Sequence, residues 1–283
     1  MNNFITRTLS AAVYAAVVIT SILVHPLYFG CVFLLLDVLA VREYMSLMKV
    51  GTTQTILNML IAACTFVSFW MAIQAPLINW GNLPFTAFMA YSALLLIVVS
   101  LVLELFLKKD NPIQRWGYIL QAQVMVALPF ALMNIIMEYN KMLLLALFII
   151  IWVNDSGAYI IGSLLAKRKA GNHKMFPRVS PNKSWEGLIG GIVFSLLCGW
   201  ICHLIGWIPE LWFALLFALV ISIFGTLGDL MESLMKRTIG VKDSGTFMPG
   251  HGGILDRFDS LLLATPAIIL LLLAFCSKTT IIQ

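Results

Sequence analysis

Charged side chains are scarce in this chain of 283 residues: Asp, Glu, Lys and Arg make up 11% of it, whereas a soluble domain usually carries about 25%. Because 61% of the residues are hydrophobic, the chain cannot cover a folded surface with polar groups. The composition therefore excludes an ordinary soluble domain and predicts an integral membrane protein. The net charge of +5 does not indicate a nucleic-acid partner, since the basic residues stand between apolar runs. Membrane lipids with anionic headgroups and phosphorylated substrates are the expected partners.

The sequence also lacks a cysteine pattern that would staple the fold or bind a metal. Its five cysteines stand in apolar stretches and form no CxxC pair: Cys31, Cys64, Cys198, Cys202 and Cys276. Cys198 and Cys202 are four residues apart, with His203 beside them, and could face a metal together. In an apolar helix such residues are more often packing groups. We therefore predict neither a disulfide framework nor a zinc site.

Nine apolar runs are long enough, or nearly so, to span a bilayer as helices, for which about 20 residues are needed. They lie at 9–24, 27–41, 55–73, 85–107, 117–137, 142–165, 187–206, 211–230 and 260–276. The first run is similar to a signal peptide, but a second run follows at once without a clean cleavage site, so an uncleaved helix is predicted. The expected fold is all-α, a polytopic membrane protein with about nine transmembrane helices. It is expected to form one domain over 1–283, with N-terminal helices in 1–141 and the candidate catalytic motifs in 142–276.

The positions of Lys and Arg predict the orientation of these helices, because cytoplasmic loops are enriched in both residues. With the N-terminus in the cytoplasm, only Lys141 and Lys278 of the 18 Lys and Arg residues fall on the outer side. Nine helices then leave the C-terminus outside. The larger inner loops, 166–186 and 231–259, hold most of the unusual polar residues, so the active site is expected to face the cytoplasm. We see no targeting segment or long tail, which favours the plasma (inner) membrane of a bacterium.

Asp155 lies within the sixth apolar run, in Ile-Trp-Val-Asn-Asp-Ser-Gly-Ala-Tyr. A carboxylate at that depth costs about 2.5–3.5 kcal/mol on insertion scales, so it should face a polar cavity or a cation. The alternative is a structural hydrogen bond to a neighbouring helix.

A second polar segment, from Arg178 to Gly187, leads into the seventh run. Ser184 or a neighbour can cap the helix that follows, and backbone N–H groups at a helix start attract phosphate. Lys183 adds positive charge. The alternative is an ordinary basic loop that binds lipid headgroups.

The segment 228–259 is the richest in ionisable residues. Asp229 and Glu232 are three residues apart at the end of the eighth run, and Asp256 and Asp259 repeat this spacing before the ninth, so each pair can share a helix face. The basic residues among them include Lys236, Arg237, His251 and Arg257. Carboxylates of this kind suit Mg²⁺, which proteins hold through few carboxylates together with substrate phosphates. A salt-bridged surface loop is the alternative.

One long motif carries a family resemblance. Between Ser233 and Asp259 the chain contains Ser-x2-Lys-Arg-x4-Lys-Asp-x-Gly, then Pro-x-His-Gly-Gly-x2-Asp-Arg-x-Asp, which resembles the diagnostic motif of the phosphatidate cytidylyltransferases (CDP-diacylglycerol synthases). Met248 stands where Leu, Ile or Phe is usual. The stretches Asp155-Ser-Gly-Ala-Tyr and Ser180-Pro-x-Lys-Ser-Trp-Glu-Gly resemble further family elements, as Arg42-Glu43-Tyr44 does more weakly. The resemblance covers about 150–276 well; before that it rests on helix count and apolarity.

The resemblance implies an enzyme that converts CTP and phosphatidate into CDP-diacylglycerol and pyrophosphate, requires Mg²⁺ and forms a homodimer. A second cation is left open. As catalytic residues we expect Asp229, Asp256, Lys236 and Arg257. As metal ligands we expect Asp229, Asp256, Asp259 and Asp155. For the phosphates of CTP or lipid we expect Lys183, Ser180, Ser184, Arg237, Lys242 and His251. Asp243 and Glu232 would orient the basic side chains.

Other classes of function stay open at this point. In a transporter or channel, Asp155 and Asp229 would line an ion path, but we find no internal repeat of the kind many transporters show. Another CTP-using lipid enzyme, such as a lipid kinase, is a nearer alternative, as is a non-catalytic relative. The Asp-Gly-x2-Ala-Arg…Gly-x3-Asp-x3-Asp pattern of the CDP-alcohol phosphotransferases is absent from the sequence.

Overall fold

The computed structural model describes residues 3–74, 85–107, 111–166, 173–245, 247 and 252–279. Most of these residues are helical, as the apolar runs predict. The helices are α1 (Asn3–Val24), α2 (Pro26–Leu47), α3 (Thr52–Gln74), α4 (Phe85–Phe106), α5 (Pro112–Gln121), α6 (Leu128–Tyr139), α7 (Lys141–Ala166), α8 (Trp185–Leu204), α9 (Leu211–Thr238), α10 (Leu255–Phe258) and α11 (Leu261–Thr279). A π-helical turn, Ala122–Ala127, joins α5 to α6.

Seven helices in the described part of the chain are long and apolar enough to cross a membrane. They are Thr52–Ala72, Ala87–Phe106, Pro112–Tyr139, Lys141–Ala166, Trp185–Leu204, Leu211–Thr238 and Leu255–Phe275, which correspond to the third to ninth predicted runs. The first run forms a shorter apolar helix, Thr8–Val24. The second lies in α2, where every stretch of 18 residues contains three charged side chains, those of Asp37, Arg42 and Glu43. The chain is therefore a multi-pass membrane protein with seven candidate spans, where the sequence predicted nine.

A short β-hairpin departs from the predicted all-α fold. Strands β1 (Lys174–Phe176) and β2 (Ser180–Ser184) pair antiparallel in the loop before α8, with Lys174 opposite Ser184 and Phe176 opposite Ser180. The strands are too short and too polar to produce the alternation by which a strand is recognised in a sequence. Because α8 begins directly after β2, the hairpin fixes the start of that helix.

Helix α9 is longer than its apolar run, since it continues from the predicted end at 230 to Thr238. Lys236 and Arg237 lie in its last turn, where basic side chains interact favourably with the helix dipole. The first part of the predicted inner loop 231–259 is therefore helical. Asp229, Glu232 and Lys236 project from one helix at spacings of three and four residues, which places them on a common face.

The chain divides into two compact units, one of residues 1–138 with 243–258, the other of residues 139–242 with 259–283. In the first unit the ring of Phe258 in α10 lies 6.1 Å from that of Phe33 and 4.9 Å from that of Phe130. Tyr14 meets Phe258 edge to face, and its hydroxyl donates to the carbonyl of Arg257 at 3.2 Å. These contacts anchor the segment that carries Asp256 to the helices of its own unit. The single domain expected over 1–283 stays a prediction.

Small residues bring the helices of the second unit close together. A Cβ on Gly157 of α7 would lie 2.7 Å from the ring of Phe194 on α8, and one on Gly190 of α8 would lie 2.5 Å from Ile161 on α7. Membrane helices associate closely through such residues because no side chain separates the two backbones. Helices α7, α8 and α9 thereby form a tight group whose polar residues face one cavity.

Candidate active site

A cavity of about 580 Å³ opens in the second unit. It is bordered by α7, the β-hairpin, the start of α8 and the middle of α9. Its polar lining includes Asp155, Lys174, Asn182, Lys183, Ser184 and Asp229. Asp155 therefore meets the polar surroundings that its position in an apolar run requires. The segments at 155, 180–187 and 229, which are far apart in the sequence, meet at this cavity.

Asp229 and Lys183 form an ion pair at the cavity wall, with 2.8 Å between Lys183 Nζ and Asp229 Oδ2. Lys183 Nζ also donates to the carbonyl of Thr226 at 3.4 Å, and the hydroxyl of Ser233 donates to Asp229 Oδ1 at 3.2 Å. The two charged side chains are 24% and 29% exposed. Both remain accessible, so a phosphate could take the place of the carboxylate, or a cation that of the ammonium group.

Asp259 lies between α10 and α11 and interacts electrostatically with three other carboxylates of the second unit, those of Asp229, Glu232 and Asp155. The backbone N–H of Ser260 donates to Asp259 Oδ1 at 2.6 Å. Grouped carboxylates repel one another, and a nearby cation relieves that repulsion. Within the described ranges no three His, Cys, Asp or Glu side chains are arranged to hold a metal by themselves. The donor set nevertheless fits Mg²⁺, which is usually bound through one or two carboxylates plus waters and substrate phosphates.

The start of α8 forms the basic side of the cavity. Ser184 Oγ accepts a hydrogen bond from the Gly187 N–H at 3.1 Å, which confirms the predicted helix cap. Lys174 and Lys183 both lie beside this helix start, where backbone N–H groups and positive charge favour a phosphate. Sequence reasoning missed Lys174 and Asn182, because their place in the cavity depends on a hairpin that the sequence pattern does not reveal.

Asn154 is a buried residue at the cavity wall that connects three helices. Its Oδ1 accepts hydrogen bonds from Ser222 on α9 at 2.5 Å and from Ser195 on α8 at 3.3 Å. A Cβ on Gly191 of α8 would lie 2.6 Å from the same oxygen, so this glycine leaves room for the amide. The network fixes α7 beside its neighbours and thereby holds the next residue, Asp155, at the cavity.

Replacing Asn154 by Leu should lower the free energy of unfolding by about 1–3 kcal/mol, because it removes the shared acceptor of two buried hydroxyls. The matched control is Asn134→Leu. Asn134 is also buried, but its side chain donates only to the carbonyl of Ala131 in its own helix at 3.0 Å. Thermal unfolding of the two variants in detergent tests the prediction. Equal melting temperatures for both would contradict a bridging role for Asn154.

Four other side chains predicted for the site do not line the described cavity: Lys236, Arg237, Lys242 and Ser180. Lys236 Nζ lies 2.5 Å from Glu232 Oε2, and both side chains are buried, in agreement with the hypothesis that Glu232 orients a base. Arg237 donates to the carbonyls of Val179 and Val241 at 3.4 and 3.1 Å. Of the remaining candidates, Lys242 is exposed and Ser180 is half-buried at the start of β2.

In the first unit, Asp256 is held by backbone donors. Its Oδ2 accepts hydrogen bonds from the N–H groups of Ser244 at 2.9 Å and Gly253 at 2.7 Å. Glu43, beyond the apolar run of α2, accepts from the Leu255 N–H at 2.8 Å.

The remaining predicted residues belong to the segment 243–259. Arg257 lies in α10, where its N–H donates to the carbonyl of Ile254 at 2.9 Å. Asp243 is exposed. His251 lies outside the described residues. Asp256 lies in α10, which ends at Phe258, whereas Asp259 lies in the two-residue turn before α11.

Apolar helices around a cavity that combines carboxylates with lysines define a multi-pass membrane protein with a charged pocket between its helices. The model of the cytidylyltransferase family matches residues 5–275. The chain therefore belongs to the cytidylyltransferase family.

Two similar proteins are phosphatidate cytidylyltransferases by name. The one from Staphylococcus haemolyticus is 47% identical over 127 residues, which cover 44% of this chain and 47% of that protein. The one from Bacillus subtilis is 40% identical over 187 residues, which cover 65% of this chain and 68% of that protein. The chain thus spans about half the length of the staphylococcal relative and about two thirds of the Bacillus one.

Proposed function

We propose that this protein is a phosphatidate cytidylyltransferase, which joins CTP and phosphatidate to give CDP-diacylglycerol and pyrophosphate. The observation that carries the proposal is the Lys183–Asp229 pair, at a helix start and among further carboxylates, in a cavity formed by apolar helices. Membership of the cytidylyltransferase family and the names of the two relatives support the same reaction. No feature of the described cavity favours a transporter.

The chemistry asks little of the protein beyond placement and charge neutralisation. The phosphate of phosphatidate is largely ionised near neutral pH and is itself the nucleophile, so no general base is needed. One of its oxygens forms a bond to the α-phosphorus of CTP, the bond from that phosphorus to the bridging oxygen breaks, and pyrophosphate leaves. The obstacle is repulsion between an anionic lipid and a triphosphate, which positive charge at the site must reduce.

In the second unit, different residues would bind the phosphates and the metal ion. Lys183 and Lys174, together with the N–H groups at the start of α8, would hold phosphate oxygens. Asp229 and Asp259, with Asp155 beside them, would hold Mg²⁺, which when bound supplies charge neutralisation for the triphosphate and the departing pyrophosphate. Glu232 keeps Lys236 in place, and Arg237 ties the end of α9 to the β-hairpin. The roles of Asp256, Arg257, Lys242, Ser180 and His251, and of a second cation, stay predictions from the sequence.

The membrane topology belongs to the same proposal. We expect nine spans, with α1 and α2 added to the seven candidates, the N-terminus in the cytoplasm and the C-terminus outside. The distribution of Lys and Arg supports this orientation. It places the cavity at the cytoplasmic side of the plasma membrane, where CTP is available and the lipid can enter between helices. A homodimer is expected from the family resemblance.

Pyrophosphate release by purified protein in detergent tests the reaction directly. CTP, Mg²⁺ and phosphatidate are supplied together, each is omitted in turn, and the lipid product is identified by mass spectrometry. Release that needs all three, with a CDP-lipid as product, is the expected result. Absence of release from folded protein across a range of phosphatidates and divalent cations would contradict the proposal, and release with a different lipid acceptor would point to another CTP-using enzyme.

A further inference from the structure

Glu43 links two parts of the first unit that are distant in sequence. It lies in the last turns of α2, and its Oε2 accepts the N–H of Leu255, 212 residues further along the chain, at 2.8 Å. The side chain of Ser244 and the backbone of Ile254 hydrogen-bond to the same carboxylate. One side chain of α2 therefore contacts both Ser244 and the two residues directly before Asp256.

Two glycines of the long motif leave space for this carboxylate. A Cβ on Gly245 would overlap Glu43 Oε1, and the three atoms nearest to it all belong to Glu43. A Cβ on Gly253 would overlap Glu43 Oε1 as well as Ser244 Oγ. The structure thus explains the glycines at these positions by the close approach of Glu43 rather than by a special backbone conformation, since neither has positive φ.

Asp256 hydrogen-bonds to residues of the same two segments that Glu43 contacts. Its Oδ2 accepts the N–H groups of Ser244 and Gly253, and its own N–H donates to Ser244 Oγ at 3.3 Å. Glu43 and Asp256 consequently contact the same two short segments, at 244–245 and 253–256. Glu43 does so through the Ser244 side chain and the backbone of Leu255, and Asp256 through the backbone of Ser244 and Gly253. If Glu43 is removed, Asp256 keeps its own hydrogen bonds, but the backbone that carries it loses its hydrogen bonds to α2.

We propose that Glu43 is a positioning residue, which acts through the backbone N–H of Leu255 and the side chain of Ser244 to hold Asp256 in the arrangement that turnover requires. Its effect on catalysis rests on the proposed function, whereas its effect on the segment 252–258 does not. Glu43 touches no reacting atom in this account. The Glu43 carboxylate gives the segments at 244–245 and 253–256 a side-chain contact that their own glycines and small polar residues do not make.

Hydrogen exchange of the full-length protein in detergent tests the structural step. In Glu43→Ala the amides of 252–258 should exchange about two- to tenfold faster, the factor that corresponds to the net contribution of one hydrogen bond. Ser46→Ala, an exposed position on the same helix, is the control and should leave exchange unchanged. Glu43→Gln keeps a side-chain oxygen for the Leu255 N–H and should restore most of the protection. Unchanged exchange in Glu43→Ala would overturn the inference.

A double-mutant cycle tests the explanation of Gly245. Gly245→Ala alone should lower both the melting temperature and turnover, because the new methyl group overlaps Glu43 Oε1. In the Glu43→Ala background the new methyl group has no carboxylate to overlap. The double variant should therefore have the same melting temperature and turnover as Glu43→Ala alone. Such non-additivity is the sign of two groups in contact. Independent effects that multiply would show that Glu43 is not the reason for the glycine.

Turnover then separates positioning from mere stability. Glu43→Ala should lower kcat more than tenfold at temperatures where it is fully folded, and Glu43→Gln should recover it. Faster exchange with wild-type turnover would overturn the positioning role. If the wild type shows no CTP-dependent turnover, the proposed function fails, while the exchange result and the melting temperatures of the cycle still decide what Glu43 does to the segment.

Discussion

Asp229→Asn is expected to lower pyrophosphate release by at least about 10²-fold, because charge stabilisation by a metal site contributes several kcal/mol to the transition state. The change keeps the shape of the side chain and its hydrogen bond with Ser233. It removes the negative charge that faces Lys183 at 2.8 Å and interacts with Asp259. The measurement is turnover of the purified variant at several Mg²⁺ concentrations. As controls, the variant must be found in the membrane fraction and must melt like the wild type.

Two further variants show whether Asp229 does more than pair with Lys183. Glu210→Gln also removes an acidic charge from α9, at its other end, where the exposed side chain makes no cap hydrogen bond, and it should keep full activity. The double variant Asp229→Asn with Lys183→Gln restores charge balance but should stay inactive. Recovery of turnover in the double variant would mean that Asp229 serves the ion pair alone, and full activity of Asp229→Asn would remove it from the site.

Gly228→Ala is expected to have the second large effect. A Cβ at this position would lie 2.6 Å from the carbonyl oxygen of Asp259 and 3.0 Å from that of Ser260. Both are backbone atoms and cannot swing aside, so α9 must move away from the start of α11. Overpacking of this kind costs about 1–3 kcal/mol. The displacement also separates Asp229 from Asp259, and a shift of about 1 Å at a catalytic group can lower turnover about 10²-fold.

The control for this prediction lies one turn earlier on the same helix. A Cβ on Gly225 would meet Ser260 at 3.7 Å and Ile151 at 3.9 Å, which is ordinary contact. Gly225→Ala should therefore keep its melting temperature and turnover, or gain slightly in stability. Melting temperature and pyrophosphate release are measured for both variants. Two variants that behave alike would show that the close approach at Gly228 is not needed.

Much of the helical architecture could be predicted because it depends on local properties of the chain. The third to ninth apolar runs coincide with helices that are long enough to span a bilayer, since the length and apolarity of a run decide whether it can cross. Ser184 was predicted as a helix cap because a hydroxyl before a helix satisfies N–H groups within three residues of it. The hairpin at 174–184 was not predicted, because its strands are too short and too polar to show the alternation by which a strand is recognised.

The candidate site was predicted as a set of residues but not as an arrangement. Asp155, Lys183 and Asp229 were expected from their unusual polarity, and all three line one cavity. Lys236 was expected to be catalytic and Arg237 to bind phosphate; in the structure Lys236 pairs with Glu232, and Arg237 donates to backbone carbonyls. A sequence displays the charge of a lysine but not the partner that the fold brings to it.

The sequence by itself determined that this protein lies in a membrane, where most of its helices fall, and which family its long motif belongs to. These follow from apolarity, run length and the order of residues, which need no tertiary contact. The tertiary structure decided which charges face the cavity and which are held elsewhere. It also showed why Gly228 and Gly245 are glycines, and it joined Glu43 to Leu255. Such contacts arise only when distant segments pack, because their geometry depends on the whole fold and not on any local pattern.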